Sequence, residues 1–190
     1  MHSPEHLFTY SLTNLGQHIK NKDVSVEELV KSLLERIHKV DRTLNSFITV
    51  NKDALNTAKD IDKEIAAGNY KGPLHGIPIG VKDIINTKNM KTTMGSKIFD
   101  NYVPTTDATV IQRLRQAGAI IIGKLNTHQM AYGPTGDRSY YGAVKNPHDL
   151  TKMSGGSSSG SGAAVAACLC YGALGTDTGG SIRIPASFCG

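Results

Sequence analysis

The residues with the most chemical potential in this chain are serines set among glycines. Between Ser154 and Gly162 the run SGGSSSGSG places five serines with four glycines, and the chain then turns apolar as AAVAA. A second, shorter turn of the same kind, TGGS, follows at Thr178–Ser181. A Gly/Ser run of this composition ordinarily behaves as solvated linker. Here an apolar small-residue segment begins directly after it, and two Gly-Gly-Ser turns bracket that segment, which a spacer does not explain. Glycines leading into a helix N-terminus expose backbone N–H groups and the positive end of the helix dipole, a setting for an anion or a developing oxyanion. A nucleotide-phosphate loop is disfavoured because GxxxxGK[ST] is absent and GSGAAV only weakly imitates the dinucleotide fingerprint. GSSSG, Gly156–Gly160, formally matches the GxSxG nucleophile elbow with Ser158 at its centre. The elbow requires an apolar strand leading in, and PHDLTKMS is not one.

A serine hydroxyl is a weak nucleophile and needs an adjacent base. Lysine serves when burial lowers its pKa from about 10.4 towards neutrality. Lys82 is the candidate, because it ends the apolar run IPIGVK where a sheet's carboxyl edge would present it. Read locally, its simplest role is a different one: a surface lysine paired with Asp83.

The elements that would position these groups follow from periodicity. Residues 25–40 predict an amphipathic helix, with Ser25 and Glu28 in a capping-box pattern and Leu29, Leu33, Ile37 and Val40 at helical spacing. SFITV, 46–50, predicts a strand, and 52–67 a more polar helix. From Gly72 the character changes: Ile77, Ile79 and Val81 alternate in a strand ending at Lys82-Asp83. A helix from about Asp107 is stopped by Gly118 and feeds the apolar strand AIIIG. GAAVAACLCYGALG reads as a buried helix, ALGTD as strand-like, and SIRIPA as the start of a further element. Helix, glycine stop and fully apolar strand in succession indicate α/β layering over a covered sheet. The reading is therefore one domain, with a helical arm at 1–70 and a sheet core with catalytic loops at 71–190. With its final element left unfinished, the chain is expected to be the N-terminal portion of a longer protein.

Composition narrows the setting. No apolar run reaches the length of a membrane span, and MHSPEHLFTYSL lacks the pattern of a secretory signal. Cys168, Cys170 and Cys189 are odd in number and lack metal-type spacing, so they read as buried reduced thiols of a cytoplasmic protein. The net charge of +5 is spread without a basic block, which argues against a nucleic-acid groove.

Taken in order, GPLHGIPIGVKD, DATVIQRLRQAGAIIIGKLN, GGSSSGSGAAVAA and GTDTGGSIRIPASFCG resemble the amidase signature family. The resemblance implies an α/β amidase-signature fold, a central mixed sheet covered by helices, here truncated at the C-terminal side. It implies a Ser-cisSer-Lys triad with Ser181 as nucleophile, Ser157 as the bridging serine after a cis peptide bond, and Lys82 as base. Backbone N–H groups of Thr178, Gly179, Gly180 and Ser181 would hold the oxyanion, while Ser158, Ser159 and Ser161 would support the loop and Arg183 would pair with Asp177. No metal or organic cofactor is implied. The substrate would be a small-molecule carboxamide, with no membrane or direct nucleic-acid partner, and a homo-oligomer is compatible with this reading. SSSGS, RIPA and MAYGPTGDRSYYG depart from the A subunits of tRNA-dependent amidotransferases, and this points to a stand-alone amidase. The alternatives are the glutaminase-type A subunit, with its partner subunits, and an inactive homologue that only binds.

Overall fold

The computed structural model describes residues 7–190. Its centre is a four-stranded mixed sheet made of β1 (Phe47–Val50), β2 (Pro78–Lys82), β3 (Ile120–Leu125) and β4 (Gly172–Leu174), in the order β1-β3-β2-β4. β2 runs parallel to β3 and to β4, and β1 lies antiparallel to β3. Every residue of β2 and β3 is buried. This is why these strands read as continuous apolar runs: both faces are covered.

Among the described residues six α-helices supply the cover: α1 (Leu12–Lys20), α2 (Val26–Leu44), α3 (Ala54–Ala66), α4 (Thr109–Gln116), α5 (Ser159–Ala166) and α6 (Arg183–Cys189). The main core joins Leu15, Leu29, Leu33 and Ile61 of the first three helices to Ile77, Ile120, Ile122 and Leu125. A smaller core, Val81, Met90, Ile111 and Ile121, lies under α4. Residues 7–70 thus share one core with the rest, and they also donate the edge strand β1 to the sheet.

Boundaries moved where tertiary contacts overrode local pattern. The helix predicted at 25–40 runs on to Leu44 and ends at Asn45 in the left-handed region, φ 59°, a conformation asparagine tolerates. Ser25 Oγ does accept from Glu28 N–H at 3.3 Å. The carboxylate at this helix start, however, is Asp62 of α3, which takes the N–H groups of Val26 and Glu27 at 2.9 Å each. The long helix predicted from Gly162 instead begins at Ser159 and stops at Ala166. Arg36 donates to the carbonyls of Ala167 and Cys168 at 2.9 and 3.1 Å, and Gly172–Leu174 then joins the sheet as β4. Cys170 and Cys189 are buried free thiols, whereas Cys168 is half-exposed.

The start of α5 is pressed onto the end of β3. Gly160 N–H donates to Asn126 O at 2.9 Å, and a Cβ at Gly160 would lie 2.3 Å from Ser46 O and 2.5 Å from Asn126 N. Both neighbours are backbone atoms that cannot step aside. Gly160→Ala is therefore expected to cost about 1–3 kcal/mol through overpacking, read as a lower midpoint in urea unfolding.

Candidate active site

Strand pairing decides where each lysine points. Val81 is in register with Lys124 and Lys82 with Leu125, and successive strand residues face opposite sides of a sheet. Lys82 therefore turns to the side of the serine loop, and Lys124 to the side of α4. The local expectation that Lys82 is a surface lysine paired with Asp83 is overturned. Lys82 is fully buried, and Asp83 faces Lys124, Oδ1 to Nζ 3.1 Å, in an ion pair with both side chains sealed from solvent. The pair is held by charge between two buried side chains. Asp83 Oδ2 accepts from Thr93 N–H at 2.8 Å, and Lys124 donates to Thr92 Oγ1 at 2.7 Å and Ile85 O at 3.0 Å.

Lys82 Nζ lies 2.6 Å from Ser157 Oγ and 2.9 Å from Thr176 Oγ1. Burial brings its pKa down from the ordinary 10.5 to about 8, with the Asp177 carboxylate pulling weakly the other way. A lysine of this kind is partly neutral near physiological pH and can accept a proton. If it acts as the base, kcat/KM rises about tenfold per pH unit just below pH 8 and levels off above it; a pH–rate profile checks this.

Ser157 is buried and follows a cis peptide bond, Gly156–Ser157. Its carbonyl accepts from Thr127 Oγ1 at 2.9 Å and His128 N–H at 3.1 Å. Ser158 Oγ grips both the N–H and the carbonyl of Thr176 at 3.2 Å, Ser159 Oγ donates to Asn126 O, and Ser161 Oγ to Leu174 O. These three serines are loop supports. The hydroxyl at the centre of the GSSSG pattern is engaged with backbone.

Ser158 N–H donates to Ser181 O at 3.0 Å, linking the two glycine turns. Asp177 organises the second turn. Its carboxylate accepts the N–H groups of Gly180 (2.8 Å), Ile182 and Arg183 (both 3.1 Å), and the Arg183 guanidinium closes on it at 2.9 and 3.0 Å. The guanidinium and these N–H groups hold the carboxyl far below the usual range. Of the four N–H groups expected to face an oxyanion, that of Gly180 is therefore already engaged. Those of Thr178, Gly179 and Ser181 have no protein acceptor among the described residues. Ser157, Thr176, Thr178, Gly179 and Ser181 line one open cleft of about 650 Å³, and Ala131, Tyr132, Gly133 and Pro134 complete its wall. Thr176 and the 131–134 wall escaped the sequence reading. Thr176 sits two residues before the glycine turn with no spacing rule to mark it, and the wall approaches only through the fold.

The fold and the paired glycine-serine turns define an α/β protein of the amidase-signature class. The chain belongs to the amidase family: the family described as Amidase matches residues 28–190. It is 53% identical over 178 residues to the glutamyl-tRNA(Gln) amidotransferase A subunit of Prochlorococcus marinus (strain NATL2A), covering 93% of this chain and 37% of that protein. The solved peptide amidase of Stenotrophomonas maltophilia superposes with a TM-score of 0.91 at 38% identity, covering 96% of this chain and 39% of that one. The glutamyl-tRNA(Gln) amidotransferase A subunit of Thermotoga maritima matches with a TM-score of 0.76 at 35% identity, over all of this chain and 37% of its own. The chain thus spans little more than a third of the length of the relatives it matches. Among the described residues, no helix is long and apolar enough to cross a membrane.

Proposed function

We propose that this protein hydrolyses a carboxamide to a carboxylic acid and ammonia or an amine, with Ser181 as nucleophile, Ser157 as proton relay and Lys82 as base. The observation that carries the reading is the buried Lys82 Nζ at 2.6 Å from Ser157 Oγ. Neutral Lys82 accepts the Ser157 proton while Ser157 accepts that of Ser181, whose Oγ adds to the amide carbon. The N–H groups of Thr178, Gly179 and Ser181 stabilise the oxyanion, at about 3 kcal/mol for a well-placed donor. The proton returns through Ser157 to the departing nitrogen as the C–N bond breaks, leaving an acyl ester on Ser181. Water, deprotonated along the same relay, then attacks the ester and frees the acid and the serine hydroxyl. Reaction with a fluorophosphonate probe tests the nucleophile. Labelling that disappears in Ser181→Ala is expected, and failure of the unaltered protein to label moves the reading to a homologue that only binds.

A second reading is the glutaminase-type A subunit of a tRNA-dependent amidotransferase. It is favoured by the 53% identity to the Prochlorococcus A subunit; among solved structures the peptide amidase, at 38% identity, and the Thermotoga A subunit, at 35%, do not separate it from the stand-alone role that the SSSGS and RIPA departures pointed to. Turnover of glutamine only in the presence of an ATP-using partner protein supports it; turnover of simple amides by the protein alone supports the stand-alone enzyme.

A further inference from the structure

The loop carrying Ser157 rests on a second segment, Gly133–Gly136, and one buried residue ties the two together. His128, just beyond β3, is 7% exposed. Its backbone N–H donates to the Ser157 carbonyl at 3.1 Å. Its ring reaches the other way, with Nδ1 accepting the Gly136 N–H at 3.3 Å, which places the ring proton on Nε2. Gly133 lies against the ring, where a Cβ would come within 2.3 Å of Nε2. Thr135 Oγ1, which donates to Asp137, stands 3.5 Å from Nδ1.

The segment held by the ring meets the serine loop backbone to backbone. Gly156 N–H donates to Pro134 O at 2.7 Å. A Cβ at Gly136 would sit 2.4 Å from Gly155 O, and one at Gly156 would sit 2.8 Å from Gly136 N. Contact this close transmits any shift of Gly133–Gly136 to the peptide immediately before Ser157.

We propose that His128 is a positioning residue of the amide-hydrolysing site: its neutral ring, accepting from Gly136, seats the Gly133–Gly136 segment beneath Gly156 and so holds Ser157 Oγ within reach of Lys82. This rests on the Lys82–Ser157–Ser181 reading. Protonation turns Nδ1 from acceptor to donor, facing the Gly136 N–H with a second N–H, and the seat is lost. The charged groups near the ring are Asp137, with Oδ1 4.0 Å from Nδ1, and Arg138. Burial disfavours the imidazolium most, Asp137 favours it and Arg138 opposes it, so the ring titrates below its ordinary value. Activity accordingly requires two groups to be deprotonated: Lys82, and at lower pH His128.

The test compares His128→Leu and His128→Asn in the full chain, with kcat, KM and melting temperature followed across pH and Ser181→Ala run alongside. His128→Leu removes the acceptor, and its kcat is expected to fall about 100-fold, the effect of a roughly 1 Å misplacement at the reacting groups. Asn carries an oxygen near the place of Nδ1 and cannot be protonated. His128→Asn is expected to retain kcat close to the parent, while its acid limb of log kcat against pH loses the steepening from slope one to slope two that the parent shows. The proposal is overturned if His128→Leu melts and turns over like the parent, if His128→Asn is impaired as severely as His128→Leu, or if the parent's acid limb never steepens. If His128→Leu does not fold, the acid limb of His128→Asn decides. Ser181→Ala separates the two levels: turnover surviving in it defeats the triad reading itself, whereas its loss beside an unimpaired His128→Leu defeats only the role of His128.

Discussion

Lys82→Met is expected to lower kcat/KM by about 10²- to 10⁴-fold and to leave the protein folded, melting no lower than the parent at pH 7. The expected loss of activity follows from removing the base proposed for Ser157, whose Oγ lies 2.6 Å from Lys82 Nζ. The stability follows from the cost of keeping an ammonium fully buried. Released at about pH 8 in the folded protein against 10.5 ordinarily, the proton is held more weakly by about 2.5 units, which destabilises the fold by about 3 kcal/mol at neutral pH. The sign is specific. Between pH 8 and 10.5 the unfolded chain binds more protons than the folded one, so the parent gains stability as pH rises through that window. Lys82→Met, of similar volume and without charge, lacks both the penalty and this pH dependence. Urea unfolding at pH 7 and pH 10 measures both, and a variant that keeps near-parent turnover would refute Lys82 as base.

The second large effect is structural and lies on the other face of the same strands. Lys124→Met is expected to destabilise the protein by about 3–5 kcal/mol, the cost of leaving one partner of a buried ion pair uncompensated. In a domain of this size that is a fall in melting temperature on the order of 10 °C. Burial already drives both groups towards their neutral forms, Asp83 upward and Lys124 downward, and each counteracts this for the other. Removing Lys124 leaves the Asp83 carboxylate with Thr93 as its support. The double variant Lys124→Met/Asp83→Asn should recover most of the loss, because no charge then remains to be compensated. A double variant as unstable as Lys124→Met alone would show that packing, and not charge, holds this site.

What the sequence by itself determined was whatever depends on local order. The apolar run IPIGVK made β2, the glycine stop at Gly118 set the entry to β3, and the ordered motifs identified the family together with Lys82, Ser157 and Ser181 as candidates. These signals survive in one dimension because strand alternation, helix stops and motif spacing are properties of neighbouring residues. Tertiary structure decided the rest. Whether Lys82 or Lys124 meets Asp83 depends on the register between β2 and β3, because one step along a strand reverses the face a side chain occupies. The end of α5 at Ala166 was set by Arg36, more than 130 residues earlier in the chain. Gly180 N–H, expected from the sequence to face an oxyanion, is taken by the Asp177 carboxylate. Thr176 and His128 reach Lys82 and the serine loop through hydrogen bonds between segments far apart in sequence, and a buried polar group takes whichever partner the fold brings within about 3 Å.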